Sequence, residues 1–228
     1  MSNIVLVTSA IMARENIDRR FTQTLHTIES IFSKIPNSSI LLIECSTIEL
    51  DPKIKSIINK YGVEVIEMFK DPRIHEIKKQ SELIEDTGGY IKNLTEIYAI
   101  NKILNSYDFS EYQRISKLSG RYFLGPSFKW DLNEDNLMTT SILYPSPRFS
   151  NMTARQCTYW SFPTQNLEEY KTLFRIIEKW LITGWGSEKE YDIEHGLSLF
   201  INQLKIGVNQ IHPLGIIGLT DDRVLNIH

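Results

Sequence analysis

Hydrophobic residues in the first third of the chain form short continuous runs separated by stripes at helical spacing. The runs at residues 4–7 and 40–43 are typical of strands buried on both faces of a parallel sheet, and a third strand is predicted at 63–66. Between the first two runs, an amphipathic helix is predicted by apolar residues at intervals of three and four: Phe21, Leu25, Ile28, Phe32 and Ile35. This β-α-β-α-β order predicts a parallel sheet with right-handed crossovers.

Capping residues mark the predicted starts of the other helices. Asp51 followed by Pro52 predicts a short helix that ends at Gly62. Three further helix starts are predicted at the segments Asn93 to Glu96, Asn166 to Glu169 and Ser187 to Glu190, the first two as capping boxes. The charged residues 70–86 show weak periodicity and predict a partly helical surface excursion.

The middle of the chain, residues 115–124, predicts a strand that turns sharply at Ser119 and Gly120 and then presents Arg121. Two further strands are predicted at 141–144 and 157–162. The whole pattern predicts a single α/β domain over residues 1–228, with a mostly parallel central sheet flanked by helices.

Composition narrows the range of functions. Hydrophobic residues make up 42% of the 228 residues and charged residues 23%, which is typical of a globular domain. The net charge of −3 provides no basic field, so no nucleic-acid binding is expected. Cys45 and Cys157 lack metal or redox spacing and fit unpaired thiols in a reducing compartment. Without a signal peptide or an apolar run of about 20 residues, we expect a cytoplasmic protein with no transmembrane segment.

Polar residues follow the predicted strands at their carboxyl ends, where open α/β sheets bind ligands. They are Thr8, Ser9 and Ala10 after the first strand, Glu44 and Ser46 after the second, and Ser119, Gly120 and Arg121 after the fourth. A carboxylate suits a base N–H or a ribose hydroxyl, and a guanidinium suits phosphate. Neither GxGxxG nor GxxxxGK[ST] is present, so neither a standard dinucleotide fold nor a P-loop is supported.

Several segments together resemble a known family. They are Val7-Thr8-Ser9-Ala10, Arg20 with Gln23-Thr24 and residues 27–31, Glu44-Cys45-Ser46, and Lys117-Leu118-Ser119-Gly120-Arg121-Tyr122. This combination resembles the GT-A class of glycosyltransferases, whose fold is Rossmann-like, and most closely small bacterial or viral members with a Lys-x-Ser/Thr-Gly-Arg-Tyr motif. Residues 194–197 and 214–218 are similar to segments that close the active site in that group.

The resemblance implies transfer of a sugar from a UDP-, GDP- or CMP-type donor to a glycan or lipid-linked saccharide, as in polysaccharide biosynthesis. Residues 1–125 would form the nucleotide-binding part and 126–228 the acceptor side. The substrate-binding residues expected from the resemblance and from the strand ends are Thr8, Ser9, Ala10, Arg20, Glu44, Lys92, Asn93, Lys117, Ser119, Gly120, Tyr122 and Trp185. Glu194, His195 and also Asp192 are candidates for the general base on the acceptor hydroxyl.

The GT-A pattern places Asp-x-Asp, which holds a divalent metal on the diphosphate, where this chain has Ser119-Gly120-Arg121. The departure suggests a metal-independent variant in which Arg121 neutralises the leaving diphosphate. Asp131, Glu134 and Asp135 follow closely and leave a manganese or magnesium site open.

Two other functions stay open. A sugar nucleotidyltransferase would open with a Gly-rich, basic loop after the first strand, and residues 12–16 contain no glycine. A non-catalytic nucleotide- or carbohydrate-binding module would account for the loss of Asp-x-Asp. Ordinary structural roles also compete, because capping alone explains Asn93 and Glu96, and Tyr122 can serve packing.

Overall fold

A computed structural model describes residues 2–13, 16–83, 89–133, 136–146, 152–184, 192–220 and 223–227. The helices are α1 Ile17–Lys34, α2 Pro52–Lys60, α3 Pro72–Leu83, α4 Gly89–Ser106, α5 Leu167–Thr183 and α6 Ile193–Leu204. The strands are β1 Ser2–Ser9, β2 Ser38–Glu44, β3 Glu64–Glu67, β4 Tyr112–Ser119, β5 Tyr122–Leu124, β6 Met138–Ser141, β7 Tyr144–Pro145, β8 Thr153–Ala154, β9 Tyr159–Pro163, β10 Val208–Ile211, β11 Ile216–Thr220 and β12 Arg223–Ile227.

Seven strands form the central sheet in the order β10-β6-β9-β4-β1-β2-β3. Strands β4, β1, β2 and β3 pair in parallel, β9 runs antiparallel to β4 and β6, and β10 is parallel to β6. Only β9 therefore runs against the other six. The predicted α/β class with a mostly parallel sheet is confirmed, and the arrangement is compatible with a Rossmann-like fold.

The two faces of the sheet bury separate cores because successive side chains of a strand point to opposite faces. Ile4 and Leu6 of β1 pack with apolar residues of α3, α4, α5 and α6. Val5 and Val7 of the same strand pack with residues of α1 and α2. A strand buried on both faces has to be apolar at every position, which explains its unbroken hydrophobic run.

Two helix starts differ from those predicted. Helix α4 begins at Gly89, so Asn93 and Glu96 lie inside it, and the Asn93 side chain donates to the Gly89 carbonyl in the preceding turn. Helix α6 begins at Ile193 and is capped by Asp192, whose carboxylate accepts the His195 backbone N–H at 2.9 Å. Ser187 and Glu190 lie outside the described residues. A capping box is a short pattern, and here buried contacts of the helix decide its register instead.

Other helix and strand boundaries differ less from those predicted. The charged stretch at 70–86 contains a regular helix, α3, held by the buried residues Ile74 and Ile77. Strand β6 ends at Ser141, where the sequence predicted the strand to begin. Helix α5 begins at Leu167 as predicted, but Asn166 makes no side-chain cap.

A smaller sheet of β12, β11 and β5 lies next to the central one. Its strand β5 directly follows the turn at Gly120 and Arg121, and it pairs with the apolar tail segment in β11. Gly215, just before β11, has φ of +69°, and a Cβ there would lie 2.3 Å from the Phe128 backbone nitrogen. Only glycine fits this position. Among the described residues, no helix combines the length and apolarity required to cross a bilayer.

Candidate functional site

A cleft of about 600 Å³ opens at the carboxyl ends of β1, β2 and β4. Seven of the eight strand-end residues proposed from the sequence line it, all except Glu44: Thr8, Ser9, Ala10, Ser46, Ser119, Gly120 and Arg121. Arg20 of α1 and Lys92 of α4, which were expected from the resemblance, line it as well. The strand-end rule therefore identified the location of the cleft and part of its lining.

Two cations in this cleft make no hydrogen bond or ion pair with the described residues. The guanidinium of Arg121 is half-buried and the ammonium of Lys92 is exposed. The Lys92 charge does act on the nearby carboxylates of Glu96 and Glu194. Two other basic side chains of the cleft are engaged, since Arg20 donates to the Ala10 carbonyl and Lys78 to the Thr47 hydroxyl. The cleft thus offers two cations with unused hydrogen-bond donors and several hydroxyls, which suits a phosphate-bearing ligand.

Beneath the cations lies a buried ion pair. Lys117 Nζ is 2.5 Å from Glu96 Oε1, and the two side chains are 1% and 7% exposed. Glu96 also accepts hydrogen bonds from the hydroxyls of Thr8 and Ser119, at 2.7 and 3.3 Å. Lys117 donates to the Ser119 hydroxyl and the Cys157 carbonyl, both at 2.7 Å. The pair therefore ties β1, β4, α4 and the segment before β9 together under the cleft.

The charges of this pair shift the pKa values of Glu96 and Lys117 so that both groups stay ionised. Burial alone would raise the pKa of Glu96, but the charges of Lys117 and Lys92 and the hydrogen bonds from Lys117 and Thr8 lower it to about 2. Burial alone would lower the pKa of Lys117, but the Glu96 carboxylate raises it above its usual range. At neutral pH Lys117 is therefore charged and satisfied by the protein. It does not line the cleft, so its predicted substrate contact becomes a supporting role.

Glu44 also lies under the cleft and does not line it. It is 1% exposed, and both carboxylate oxygens accept hydrogen bonds from the protein. One accepts from the Ser9 hydroxyl at 2.5 Å and the Ile11 N–H at 3.0 Å, and the other from the backbone and side chain of Ser46. The cost of burying this carboxylate is thus met by protein donors. Glu44 shapes the loops after β1 and β2, which a base or ribose would contact.

Gly120 allows the turn after β4 to approach β1 closely. Its N–H donates to the Thr8 carbonyl at 2.8 Å. A Cβ there would lie 3.1 Å from both Ser9 Cβ and the Thr8 carbonyl oxygen, and 3.4 Å from Thr24 Oγ1. The sequence indicated a special backbone conformation, but the structural reason for glycine is this lack of space.

Helix α6 carries two of the three proposed general bases, Glu194 and His195, and the third, Asp192, caps it; none of them lines the cleft. His195 is 2% exposed, with Nδ1 2.5 Å from Asp192 Oδ1 and Nε2 2.7 Å from Ser146 Oγ. Its two ring contacts place His195 between α6 and Ser146, which follows β7, and away from the residues that line the cleft. Its role as general base stays a prediction.

Glu194 is the better placed of the two. Burial and the nearby Asp192 charge raise its pKa, opposed by a hydrogen bond from Cys157 and by the charge of Lys92. The Cys157 thiol lies 3.6 Å from Glu194 Oε1, and the Cys157 carbonyl accepts from Lys117. Glu194 is therefore connected to the floor of the cleft through Cys157, on the side of β9. A carboxyl with a raised pKa in such a position suits proton transfer.

Two other proposed residues are not brought to the cleft. Asn93 faces back along its own helix, as its bond to Gly89 indicates. Tyr122 packs against the core on the α1 side, and its carbonyl accepts from the Thr27 hydroxyl at 2.7 Å. Trp185 lies outside the described residues. Asn93 and Tyr122 are thus corrected to structural roles.

Sequence reasoning missed part of the lining. Glu96 was assigned to a helix cap, and an apolar side of the cleft was not foreseen: it is formed by Met12, Ile48, Ile74 and Ile91. Ile48 is 47% exposed, unusual for its size and type, and it follows β2 only four residues on. The available signal was the position of Thr47 and Ile48 just beyond a predicted strand end. An apolar wall beside cations suits a ligand that has a flat base or ring and a phosphate.

A possible metal site can be assessed only among the described residues. Within the described ranges no group of three or more His, Cys, Asp or Glu side chains is arranged to hold an ion. Asp131 is exposed and does not line the cleft. Glu134 and Asp135 lie outside the described residues, so their predicted contribution to a metal site stays a prediction.

Comparison of the sequence with models of known protein families finds no match, and comparison with curated proteins finds none either.

Proposed function

We propose that this protein is a glycosyltransferase that binds a nucleotide-sugar in the cleft and transfers the sugar to a glycan or lipid-linked saccharide. The observation that carries the proposal is the pair of cations at the carboxyl edge of the sheet, Lys92 and Arg121, which make no hydrogen bond or ion pair among the described residues. Free cations beside an apolar wall are suited to the diphosphate and the base of a nucleoside diphosphate. The resemblance to GT-A enzymes supports the same ligand.

In this proposal Arg121 and Lys92 hold the diphosphate of the donor. The acceptor hydroxyl oxygen forms a bond to the anomeric carbon, the bond from that carbon to the diphosphate oxygen breaks, and the electron pair leaves with the diphosphate. Arg121 stabilises the charge that develops on the leaving group. Glu194 accepts the proton of the acceptor hydroxyl, a role that its raised pKa favours at neutral pH.

The buried residues below the cleft have positioning roles in the proposal. The Glu96–Lys117 pair fixes Ser119, which directly precedes Gly120 and Arg121. The Thr24 hydroxyl donates a hydrogen bond to the Gly120 carbonyl of this turn at 3.4 Å. Catalysis requires the guanidinium to be held where charge develops, and a turn fixed on three sides reduces the reorganisation required.

Nucleotide binding tests the proposal directly. We expect UDP, GDP or CMP to bind in isothermal titration calorimetry, and Arg121→Gln to weaken the best ligand by about 10- to 100-fold, because a charge-assisted hydrogen bond contributes about 1.5–3 kcal/mol. Arg175→Gln is the matched control, since Arg175 is exposed on α5 away from the cleft. Absence of binding by all three nucleotides, or equal binding by wild type and Arg121→Gln, would refute the proposal.

Slow hydrolysis of the bound nucleotide-sugar separates an enzyme from a binding module. We expect hydrolysis that persists in EDTA and is lost in Arg121→Gln, because the guanidinium replaces the metal. Tight nucleotide binding with no turnover of any nucleotide-sugar would favour the non-catalytic module. Release of pyrophosphate from a nucleoside triphosphate and a sugar phosphate would favour a nucleotidyltransferase.

A further inference from the structure

Arg155 is a buried cation that the proposed reaction does not use. It follows β8 and is 1% exposed. Its Nη1 donates to the Ser141 carbonyl at 2.9 Å, whereas its Nε has no hydrogen-bond partner among the described residues. No acidic side chain pairs with it in that part of the chain either. This contrasts with Lys117, whose buried charge is paired with Glu96.

The position of Arg155 relates it to the cleft. Its partner Ser141 ends β6, which runs in the same direction as β4, so both strands end at the same edge of the sheet. Only β9 lies between them. At a strand spacing of roughly 4.8 Å, Ser141 is about 10 Å along this edge from Ser119. The backbone N–H of Arg155 donates to the Glu194 carbonyl at 3.1 Å, which places Arg155 beside the proposed general base.

A buried guanidinium without a counter-charge is unfavourable, since removing it from water is compensated only by a paired anion and satisfied donors. Burial lowers the pKa of Arg155, and no neighbouring carboxylate opposes that change. The residue before Ser141 adds a second unsatisfied group, because the Thr140 hydroxyl is also buried without a partner among the described residues. Within the described part of the chain, the carboxyl end of β6 therefore has two hydrogen-bonding groups without partners, the Arg155 Nε and the Thr140 hydroxyl, and one charge without a counter-charge.

We propose that Arg155 binds an oxyanion, a carboxylate or a phosphate, carried by the acceptor saccharide. The assignment of the oxyanion to the acceptor rests on the proposed function, whereas the need for an anion at Arg155 does not. A guanidinium presents parallel N–H donors that match both groups. The substrate class is thus an acidic glycan, bearing a uronic acid or a sugar phosphate.

Access to Arg155 requires local opening, because its side chain is covered. Binding of the acidic group is then slower than diffusion-limited encounter and is accompanied by ordering around β6 and α6. The anion supplies the energy for closing by neutralising the guanidinium.

The test compares acidic and neutral glycosides on the whole protein. By isothermal titration calorimetry, we expect wild type to bind methyl glucuronide or a sugar 1-phosphate at least about tenfold more tightly than methyl glucoside, and Arg155→Gln to lose this preference. The uronide and phosphate arms show which oxyanion is preferred. Arg175→Gln, the same change at an exposed arginine, is the control and keeps the preference.

Each outcome has a definite meaning. An equal preference in wild type and Arg155→Gln, or no preference in wild type, overturns the proposal and leaves Arg155 as a structural residue with bound water. If Arg155→Gln fails to fold, Arg155→Lys is used instead, because it keeps the charge but lacks the parallel N–H donors of the guanidinium. An unchanged preference for acidic glycosides in Arg155→Lys refutes bidentate recognition. UDP, GDP and CMP binding is measured on the same samples: its absence together with an Arg155-dependent preference rejects the proposed transferase while retaining the oxyanion site.

Discussion

At the scale of single residues, Gly120 is constrained by the space between the turn after β4 and the end of β1. We expect Gly120→Ala to lower the free energy of unfolding by about 1–3 kcal/mol, because its Cβ would approach the Thr8 carbonyl and Ser9 Cβ to 3.1 Å. It should also weaken nucleotide binding, since the shift displaces Arg121. Urea denaturation and calorimetry measure the two effects.

Gly89 provides the matched control. It starts α4, is exposed and would have nothing within 4 Å of an added Cβ. We expect Gly89→Ala to raise the free energy of unfolding by about 0.4–1 kcal/mol by restricting the unfolded chain. Similar losses of stability in the two variants would contradict the steric explanation for Gly120.

The buried Glu96–Lys117 pair predicts a dependence of stability on pH. The folded pKa of Glu96, about 2, lies below its usual value of 4.5. The stabilisation is therefore fully present above pH 4.5 and is lost as the pH falls from about 4.5 towards 2; by linkage it is about 3 kcal/mol at neutral pH. We expect Glu96→Gln to destabilise the protein by about 3–5 kcal/mol at pH 7, since it leaves Lys117 buried and unpaired.

The difference in stability between wild type and Glu96→Gln should shrink below pH 4.5. Urea denaturation at pH 7, 4 and 2.5 measures this change. The double variant Glu96→Leu with Lys117→Met should be more stable than either single change, because replacing both charges removes the unpaired one. A difference between wild type and Glu96→Gln that stays constant over this pH range would contradict the assigned role of the pair.

At the scale of elements, the start of α6 depends on one side chain. Asp192 accepts hydrogen bonds from both the backbone N–H and the ring of His195, at 2.9 and 2.5 Å, and it is 8% exposed. We expect Asp192→Ala to lower the free energy of unfolding by about 2 kcal/mol, at the upper end for a helix cap, because a buried imidazole also loses its partner.

Asp51→Ala is the comparison for Asp192→Ala. Asp51 caps α2 through the Lys53 N–H at 2.7 Å but is exposed and holds no second residue. Asp51→Ala should therefore lower the free energy of unfolding by about 1 kcal/mol or less. Asp192→Asn keeps a cap acceptor and should fall between wild type and Asp192→Ala. Equal losses for Asp192→Ala and Asp51→Ala in urea denaturation would show that the His195 contact contributes nothing.

At the scale of the whole molecule, the central sheet includes strands from both parts of the chain. β1 to β4 come from residues 1–125, and β6, β9 and β10 from 126–228. β4 and β9 pair directly where these parts meet. We expect a single cooperative unfolding transition, because neither part can bury its sheet edge alone.

The chain provides separate reporters for this prediction. All four tryptophans, Trp130, Trp160, Trp180 and Trp185, belong to the second part, whereas Cys45 reports on the first. In urea, tryptophan fluorescence and thiol labelling of a Cys157→Ala variant should give the same midpoint. Two separated midpoints would indicate independent units instead.

Much of the fold was predictable because its signals are local. The apolar runs at β1, β2 and β3 and the stripe of α1 depend only on neighbouring residues, so the sequence predicted the parallel sheet and its edge. Parallel strands end at the same edge of a sheet, so the sequence also predicted that Ser9, Gly120 and Arg121 lie close together, and all three line the cleft. The predicted start of α4, a capping box at Asn93, was wrong, because the helix begins at Gly89. The tertiary contacts that bury Glu96 inside the helix outweigh the local capping pattern.

Sequence alone therefore determined the class of fold, the binding edge and the presence of Arg121 there, since these follow from periodicity and strand order. Only the tertiary structure decided which charges are paired. It joined Glu96 to Lys117 and occupied Glu44 and His195 with protein partners. Among the described residues it left Lys92 and Arg121 without a hydrogen bond or ion pair, and the buried Arg155 without an acidic partner. The physical reason is that burial and pairing depend on contacts between residues distant in sequence, which no local pattern encodes.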